Sequence, residues 1–274
     1  MKTNKIIRII VFLFCLILVA IMMLPFLMIL LNSFKEKINI VRNPLAFTGI
    51  IGFENYIHAF QTMNFVSAIK NSFIITVISL FLIVVFASML AYFLERWKWR
   101  INKVVFLIIV ASMIIPFQTL MIPLVSIYGR IGILNSMGAL TFFYMGFGMA
   151  LATFMYHGFI KGVPKELEEA AVIDGCSRFG VFRLVVFPIL APITSTILIL
   201  DLLWIWNDYL LPSLVLVHEK QRTLPLSTFY FFGNYTSEFG YGMAALVMSI
   251  LPILVLYLLL QKQIIKGVMD GSVK

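Results

Sequence analysis

The stretch Ser72–Leu94 reads SFIITVISLFLIVVFASMLAYFL and contains no charged side chain. A helix that crosses the hydrocarbon core of a bilayer needs about 20 consecutive, mostly apolar residues. This run is long enough to cross the core. The sequence therefore predicts a membrane-spanning helix over residues 72–94.

Further apolar runs of similar length lie on both sides of this stretch. They cover residues 9–31, 104–125, 136–156, 189–217 and 241–260. The run 104–125 contains Pro116 and Pro123, which remove backbone hydrogen-bond donors and favour a bend. Because proline is common in membrane helices, its presence there needs no functional explanation. Together the runs predict an all-α membrane protein with about six transmembrane helices.

The overall composition excludes an ordinary soluble domain. The chain has 274 residues, of which 62% are hydrophobic and 12% are charged, whereas soluble domains carry about 25% charged residues. The net charge of +9 is explained by orientation in the bilayer, so we expect no nucleic-acid partner. The two cysteines and three histidines show neither a disulfide framework nor metal-ligand spacing, and we expect no metal site.

The distribution of basic residues predicts which side of the membrane each connection faces. An even number of spans places residues 1–8 and the tail 262–274 on one side, together with the connections 95–103 and 157–188. That side carries 14 Lys and Arg residues, against 7 on the other side. Because basic loops stay in the cytoplasm, both termini and the loop 157–188 are predicted to be cytoplasmic.

The loop 157–188 carries local signals for two short helices. Pro164 suits the first position of a helix, and Gly175 suits the position just beyond a helix end. We therefore predict a helix over Pro164–Asp174. Ser177 can cap a second helix that leads towards Pro188 and the fifth span.

One face of the first predicted helix combines small and apolar residues. Leu167, Ala170, Ala171 and Asp174 recur at helical spacing, and Glu169 lies beside them. One interpretation is a docking helix for a cytoplasmic partner. The alternative is an amphipathic helix that rests on lipid, but such helices usually carry Lys and Arg rather than several glutamates.

The same loop resembles the EAA motif of binding-protein-dependent ABC permeases. Glu169-Ala170-Ala171 is followed after three residues by Gly175, and after nine more by Val185-x-Phe187-Pro188. The family pattern ends in Ile-x-Leu-Pro, so this chain differs by two conservative apolar changes. The resemblance implies a type I ABC importer permease of the MetI-like fold.

Further segments resemble the smaller permease subunit of maltose-type systems. They are Trp206–Pro212, Thr223-Leu224-Pro225 and the tail Lys266–Lys274. This resemblance implies a non-catalytic subunit that carries a sugar or oligosaccharide across the bacterial plasma membrane.

The resemblance also implies a set of partners and a coupling site. The EAA loop of the family sits in a cleft of an ABC ATPase dimer, which binds ATP and Mg²⁺. A second permease subunit and an extracellular or periplasmic sugar-binding protein complete such systems. The sequence itself has no G-x-x-x-x-G-K-[ST] motif, so we expect this chain to bind no ATP and no other cofactor. The residues assigned to coupling are Glu169, Ala170, Ala171, Asp174, Gly175 and Pro188.

The fifth apolar run carries two carboxylates, Asp201 and Asp208, seven residues apart and thus on one face of a continuous helix. A carboxylate at the membrane centre costs ~3 kcal/mol on insertion scales, so it should face water or another subunit. Sugars bind through polar side chains and aromatic faces. The predicted substrate pathway comprises Asp208, Asn207, Trp204, Asp201 and Gln118. Alternatively, the two carboxylates are satisfied by hydrogen bonds between helices and the tryptophans only pack.

Two other functions remain open at the level of sequence. The same type of permease could carry a peptide, a polyamine or glycerol phosphate, although the maltose-type segments argue against this. An intramembrane enzyme would need Asp201 and Asp208 as an acid–base pair. The loops supply neither a nucleophile nor a metal site for such chemistry.

Overall fold

The computed structural model describes residues 5–232 and 238–272. Residues 1–4, 233–237, 273 and 274, including the predicted orienting residues Lys2 and Lys274, lie outside this part. The described residues contain no strand, only an isolated bridge between Lys35 and Ile50. The α-helices are α1 Lys5–Asn32, α2 Lys37–Arg42, α3 Glu54–Thr62, α4 Phe65–Arg96, α5 Arg100–Ser112, α6 Phe117–Arg130, α7 Met137–Ile160, α8 Glu166–Ile173, α9 Arg178–Val181, α10 Phe187–Ile189, α11 Ala191–Asn207, α12 Leu210–Val215, α13 Leu224–Phe229 and α14 Phe239–Ser272.

Four of these helices contain a continuous stretch long and apolar enough to cross a membrane. The stretches are Ile7–Asn32, Phe65–Arg96, Met137–Ile160 and Phe239–Leu258. Two bent pairs also pass this test: α5 with α6, at 103°, and Arg178–Ile189 with α11, at 74°. The described chain thus has four candidate spans, or six when each bent pair is counted as one.

The bend between α5 and α6 falls at Pro116, one of the two prolines in the third apolar run. Pro116 has an extended ψ of 135° and precedes the first residue of α6. Proline lacks an N–H and disfavours helical angles at the residue before it, which ends α5. Pro123 lies inside α6, so only one of the two prolines breaks the helix.

The fifth apolar run, 189–217, was expected to be one helix and is not. Its first bend lies at Leu190, before Pro192 near the start of α11. A second break follows Asn207, because Asp208 has an extended ψ of 131° and its Oδ1 accepts a hydrogen bond from Leu210 N at 2.9 Å. The carboxylate satisfies a backbone donor at the start of α12, and Asp208 therefore lies outside the helix that holds Asp201.

Backbone contacts divide the chain into two compact units. The larger unit comprises residues 66–226 and 253–274, and its core forms where α7 packs against α5 and α11. Small buried residues, including Ala87, Ala91 and Ala152, let helices approach closely. Gly148 on α7 shows how tight the packing is, since an added Cβ would lie 2.5 Å from Ile83 Cδ1.

The smaller unit comprises residues 1–65 and 227–252. Within it, the fully buried Lys35 donates to the carbonyl oxygens of Asn43 and Pro44, at 3.3 and 3.1 Å. Asn55 Nδ2 donates to the carbonyl oxygens of Ser33 and Lys35, both at 2.9 Å. These contacts fix the segment after α1 by satisfying buried backbone acceptors.

Candidate functional sites

The predicted docking helix in the loop 157–188 is present and ends where the sequence places its end. Helix α8 spans Glu166–Ile173, within the predicted range. Gly175 has φ of +88°. Its N–H bonds to Val172 O, and Cys176 N–H bonds to Ala171 O. This pair of bonds is a Schellman ending, which needs a left-handed residue at the glycine position.

The surface of α8 is largely exposed and mixes acidic and apolar side chains. Glu169, Ala170 and Asp174 are exposed, and Ile173 is 85% exposed. Ala171 was expected to share this docking face, but it is buried against the chain itself. Its small side chain serves packing within the larger unit, whereas the neighbouring surface is available to a partner.

An ion pair anchors α8 to the end of α4. Arg96 Nε lies 2.6 Å from Glu168 Oε1, with the two side chains only 8% and 13% exposed. Tyr92 Oη donates to Glu168 Oε2 at 2.8 Å, and Arg96 Nη2 donates to Val163 O at 3.0 Å. The sequence prediction missed this anchor, because local patterns do not pair residues that lie 72 positions apart.

The second half of the loop leads into the fifth span as predicted. Ser177 Oγ accepts from Gly180 N at 3.1 Å, which confirms the predicted cap of α9. A π-helical turn over Phe182–Val186 follows before α10. Pro188, the last residue of the EAA pattern, is exposed. Leu190, two residues later, is fully buried.

A second candidate site is a cavity of about 690 Å³ lined by α5, α6, α7 and α11, together with residues of the break between α5 and α6. Its lining is dominated by aromatic and aliphatic side chains, with Asp201 as the charged residue among those described. Asp201 is only 3% exposed, and its Oδ2 has no hydrogen-bond partner in the described part of the chain. Trp204, one turn later on α11, lines the same cavity.

The other predicted pathway residues lie apart from this lining. Asp208 accepts from Tyr144 Oη at 3.0 Å, which is a contact between helices of the kind that the alternative interpretation expects. Asn207 Nδ2 donates to Leu203 O at 2.7 Å within its own helix. Gln118 on α6 is exposed and does not belong to the described lining. The structure thus brings together Asp201 and Trp204 but not the full set, and the pathway roles stay predictions.

Tyr144 is a further residue of this region that sequence analysis did not single out. It is 1% exposed, bonds to Asp208, and packs edge-on against Trp204 with ring centroids 5.5 Å apart. Its position in a glycine- and methionine-rich span was the only signal, and that signal does not indicate a partner. Tyr144 thus contacts two of the predicted pathway residues, Trp204 and Asp208.

Comparison with known proteins identifies the family of the chain. The sequence model for the binding-protein-dependent transport system inner membrane component matches residues 83–270, which include α8 and α11. A probable permease for starch degradation products from Thermoanaerobacterium thermosulfurigenes, AmyC, is 45% identical over 91% of each chain. The melibiose, raffinose and stachyose import permease MelC of Bacillus subtilis is 37% identical, over 92% of this chain and 91% of its own.

Solved structures show the same fold. A bacterial ABC transporter involved in import of the acidic polysaccharide alginate superposes with a TM-score of 0.75 at 21% identity, over 96% of this chain and 99% of that chain. This likeness confirms the predicted permease fold, and the family match confirms the resemblance first carried by Glu169–Pro188. The chain is a multi-pass membrane protein and a transport permease subunit, and it belongs to the family of binding-protein-dependent transport system inner membrane components.

Proposed function

We propose that this chain is one of two transmembrane permease subunits of an ATP-driven importer that carries a sugar or oligosaccharide into a bacterial cell. The observation that supports this most is the pair of relatives described as permeases for starch products and for melibiose, raffinose and stachyose. Each matches more than nine tenths of both chains, so the similarity covers the spans and the loop together.

An ABC ATPase dimer binds the loop through α8. The exposed face with Glu169, Ala170 and Asp174 supports this role, because nothing in the described chain covers it. Gly175 ends α8, and Pro188 ends the EAA pattern that follows it. The buried Ala171 packs α8 against the rest of the larger unit. ATP and Mg²⁺ belong to the ATPase subunits, and this chain binds no cofactor of its own.

Coupling then follows from the mechanical connection of α8. Closure of the ATPase dimer moves α8, and the ion pair from Glu168 to Arg96 carries this movement to α4. The segment through Pro188 carries it to α11. Rigid-body movement of spans around a fixed site would alternate access between the two sides.

Both termini and α8 lie in the cytoplasm of the bacterium, as the excess of basic residues on that side indicates. A sugar-binding protein on the outer face delivers the solute, and a second permease subunit completes the pathway. A solved alginate transporter was obtained in complex with a pentasaccharide-bound periplasmic protein, which supports this arrangement. In this chain the pathway runs past Asp201, Trp204, Asn207, Asp208 and Gln118.

Affinity capture with sugar uptake tests this function. The tagged chain, expressed at native level, should co-purify with an ATPase, a second permease and a binding protein identified by mass spectrometry. Proteoliposomes of that complex should accumulate radiolabelled maltotriose or raffinose only with ATP inside the compartment that holds the ATPase. Sugar transport by this chain alone, without ATP, would contradict the proposal.

A further inference from the structure

The cavity beside Asp201 has the size of a ligand site. Its volume of about 690 Å³ falls within the range of about 300–1,000 Å³ that is typical of small-molecule pockets. It is bounded on one side by the break between α5 and α6 and on another by α11.

Asp201 gives the cavity an unsatisfied polar group. The side chain is 97% buried, and Oδ2 lacks a hydrogen-bond partner among the described residues. A buried carboxylate oxygen without a partner is unfavourable in a protein and more so in a membrane. The cost is removed when a ligand in the cavity donates a hydrogen bond to the carboxylate.

Aromatic rings supply the remaining contacts. Trp204 is 41% exposed, and its ring is held edge-on by Tyr144. Phe117 and Phe147, both in the lining, contact each other edge-to-face at 5.4 Å. Rings fixed in this way offer flat apolar faces, while the cavity holds one carboxylate and no basic side chain among the described residues.

We propose that this cavity is a sugar-binding subsite within this chain. Asp201 accepts hydrogen bonds from ring hydroxyls, and Trp204 packs against the apolar face of the same sugar ring. The proposal rests on the function proposed above and adds that, among the residues along the proposed pathway, Asp201 and Trp204 hold the solute in this cavity. An oligosaccharide or disaccharide with a neutral pyranose ring has the required hydroxyls and apolar face.

Two kinds of variant test the hydrogen bond of Asp201 and the volume of the cavity separately. Asp201→Asn keeps a carbonyl acceptor but loses the charge, and Asp201→Leu loses both. Gly146→Leu fills the cavity without changing its polarity, because Gly146 lines it and an added Cβ would meet nothing within 4 Å. Gly158→Leu is the matched control, since Gly158 lies on the same helix, has the same open space and is not in the lining.

The experiment measures uptake of radiolabelled maltotriose and raffinose at saturating concentration by the captured complex in proteoliposomes. ATPase activity stimulated by the loaded binding protein is measured in parallel. We expect uptake to fall about tenfold or more in Asp201→Leu, because this variant loses the charge-assisted hydrogen bond to the sugar entirely. In Asp201→Asn we expect a fall of about threefold, because a weaker, neutral hydrogen bond remains. Gly146→Leu should abolish uptake, and Gly158→Leu should match the wild type.

The possible outcomes are distinct. Wild-type uptake in Asp201→Leu or in Gly146→Leu would overturn the subsite and leave the importer function standing. Equal losses in Asp201→Asn and Asp201→Leu would also overturn it, because charge rather than an acceptor would then be required. If Asp201→Leu does not assemble with the ATPase, Gly146→Leu decides the question. No sugar uptake by the wild-type complex would overturn the proposed function and the subsite together.

Discussion

Arg96 Nε lies 2.6 Å from Glu168 Oε1, and this ion pair joins the end of α4 to the helix that carries the EAA motif. Both side chains are largely removed from solvent, where the loss of one partner leaves a buried charge uncompensated. The pair therefore connects the proposed docking surface to a span other than α11. The proposed movement of α8 would thus reach the membrane by two routes, and the sequence motif contains only the route through Pro188.

Breaking this pair should uncouple ATP hydrolysis from transport. In Arg96→Gln we expect more ATP hydrolysed per sugar transported, together with a loss of stability of about 3 kcal/mol, as is typical for a buried pair that loses one partner. The measurement is the ratio of phosphate release to sugar uptake in proteoliposomes, with thermal unfolding of the purified complex. Lys98→Gln is the control, because Lys98 is a nearby exposed cation on the same connection.

The charge-swapped double variant, Arg96→Glu with Glu168→Arg, should recover part of the coupling. A double-mutant cycle is expected to give an interaction energy of about 0.5–3 kcal/mol between the two positions. Additive effects of the single changes, with a normal hydrolysis ratio in each, would show that the pair does not transmit movement.

Gly175 should be replaceable only by residues that tolerate left-handed backbone angles. Its φ is +88°, and an added Cβ would meet no atom within 4 Å. The residue at this position is thus constrained by its backbone angles and not by its neighbours. A β-branched residue there should lower the free energy of unfolding by about 1–2 kcal/mol. We expect Gly175→Val to weaken capture of the ATPase, whereas Gly175→Asn should retain most of it. The measurement is co-purification of the ATPase at equal expression, and equal capture with both variants would contradict the docking role.

The local parts of the docking segment could be predicted because their signals are local. Ser177 and Gly175 each fix backbone geometry within a few residues, and the structure places the cap of α9 and the end of α8 accordingly. The predicted start at Pro164 was two residues early, because α8 begins at Glu166 after the N-cap residue Lys165. The partner of Glu168 could not be predicted in this way. Its pairing with Arg96 depends on how α4 and α8 pack in three dimensions, and no pattern in a single sequence reports it.

In the fifth span, by contrast, the local sequence pattern did not predict the helix breaks. The run 189–217 is apolar throughout most of its length, so hydropathy alone predicts one continuous helix. The breaks come from Pro192 and from the side chain of Asp208, which bonds to Leu210 N. As a result, the predicted carboxylate face is divided: Asp201 borders the cavity, whereas Asp208 bonds to Tyr144.

The Tyr144–Asp208 contact should contribute to stability more than to solute selection. Tyr144→Phe removes the 3.0 Å hydrogen bond and keeps the buried ring. Loss of a hydrogen bond to a charged group should cost about 1.5–3 kcal/mol of the free energy of unfolding. Thermal unfolding of the complex in nanodiscs measures this. Tyr257→Phe, at a half-exposed tyrosine on α14, should leave the transition unchanged. An unchanged transition in Tyr144→Phe would show that the bond carries no net stability.

The predicted orientation can be read from the accessibility of two single cysteines. Ile173 on α8 is 85% exposed, and Val217 beyond α12 is 69% exposed, so both can react once converted to Cys in a chain with Cys15 and Cys176 replaced by Ser. The excess of basic residues on the side of α8 places Ile173 inside and Val217 outside. A membrane-impermeant maleimide should therefore label Val217→Cys in intact spheroplasts and label Ile173→Cys only after the membrane is opened with detergent. The cysteine-free chain should take up no label in either case. If Ile173→Cys reacts in sealed cells, α8 faces outward, no cytoplasmic ATPase can dock on it, and the coupling mechanism proposed for this loop fails.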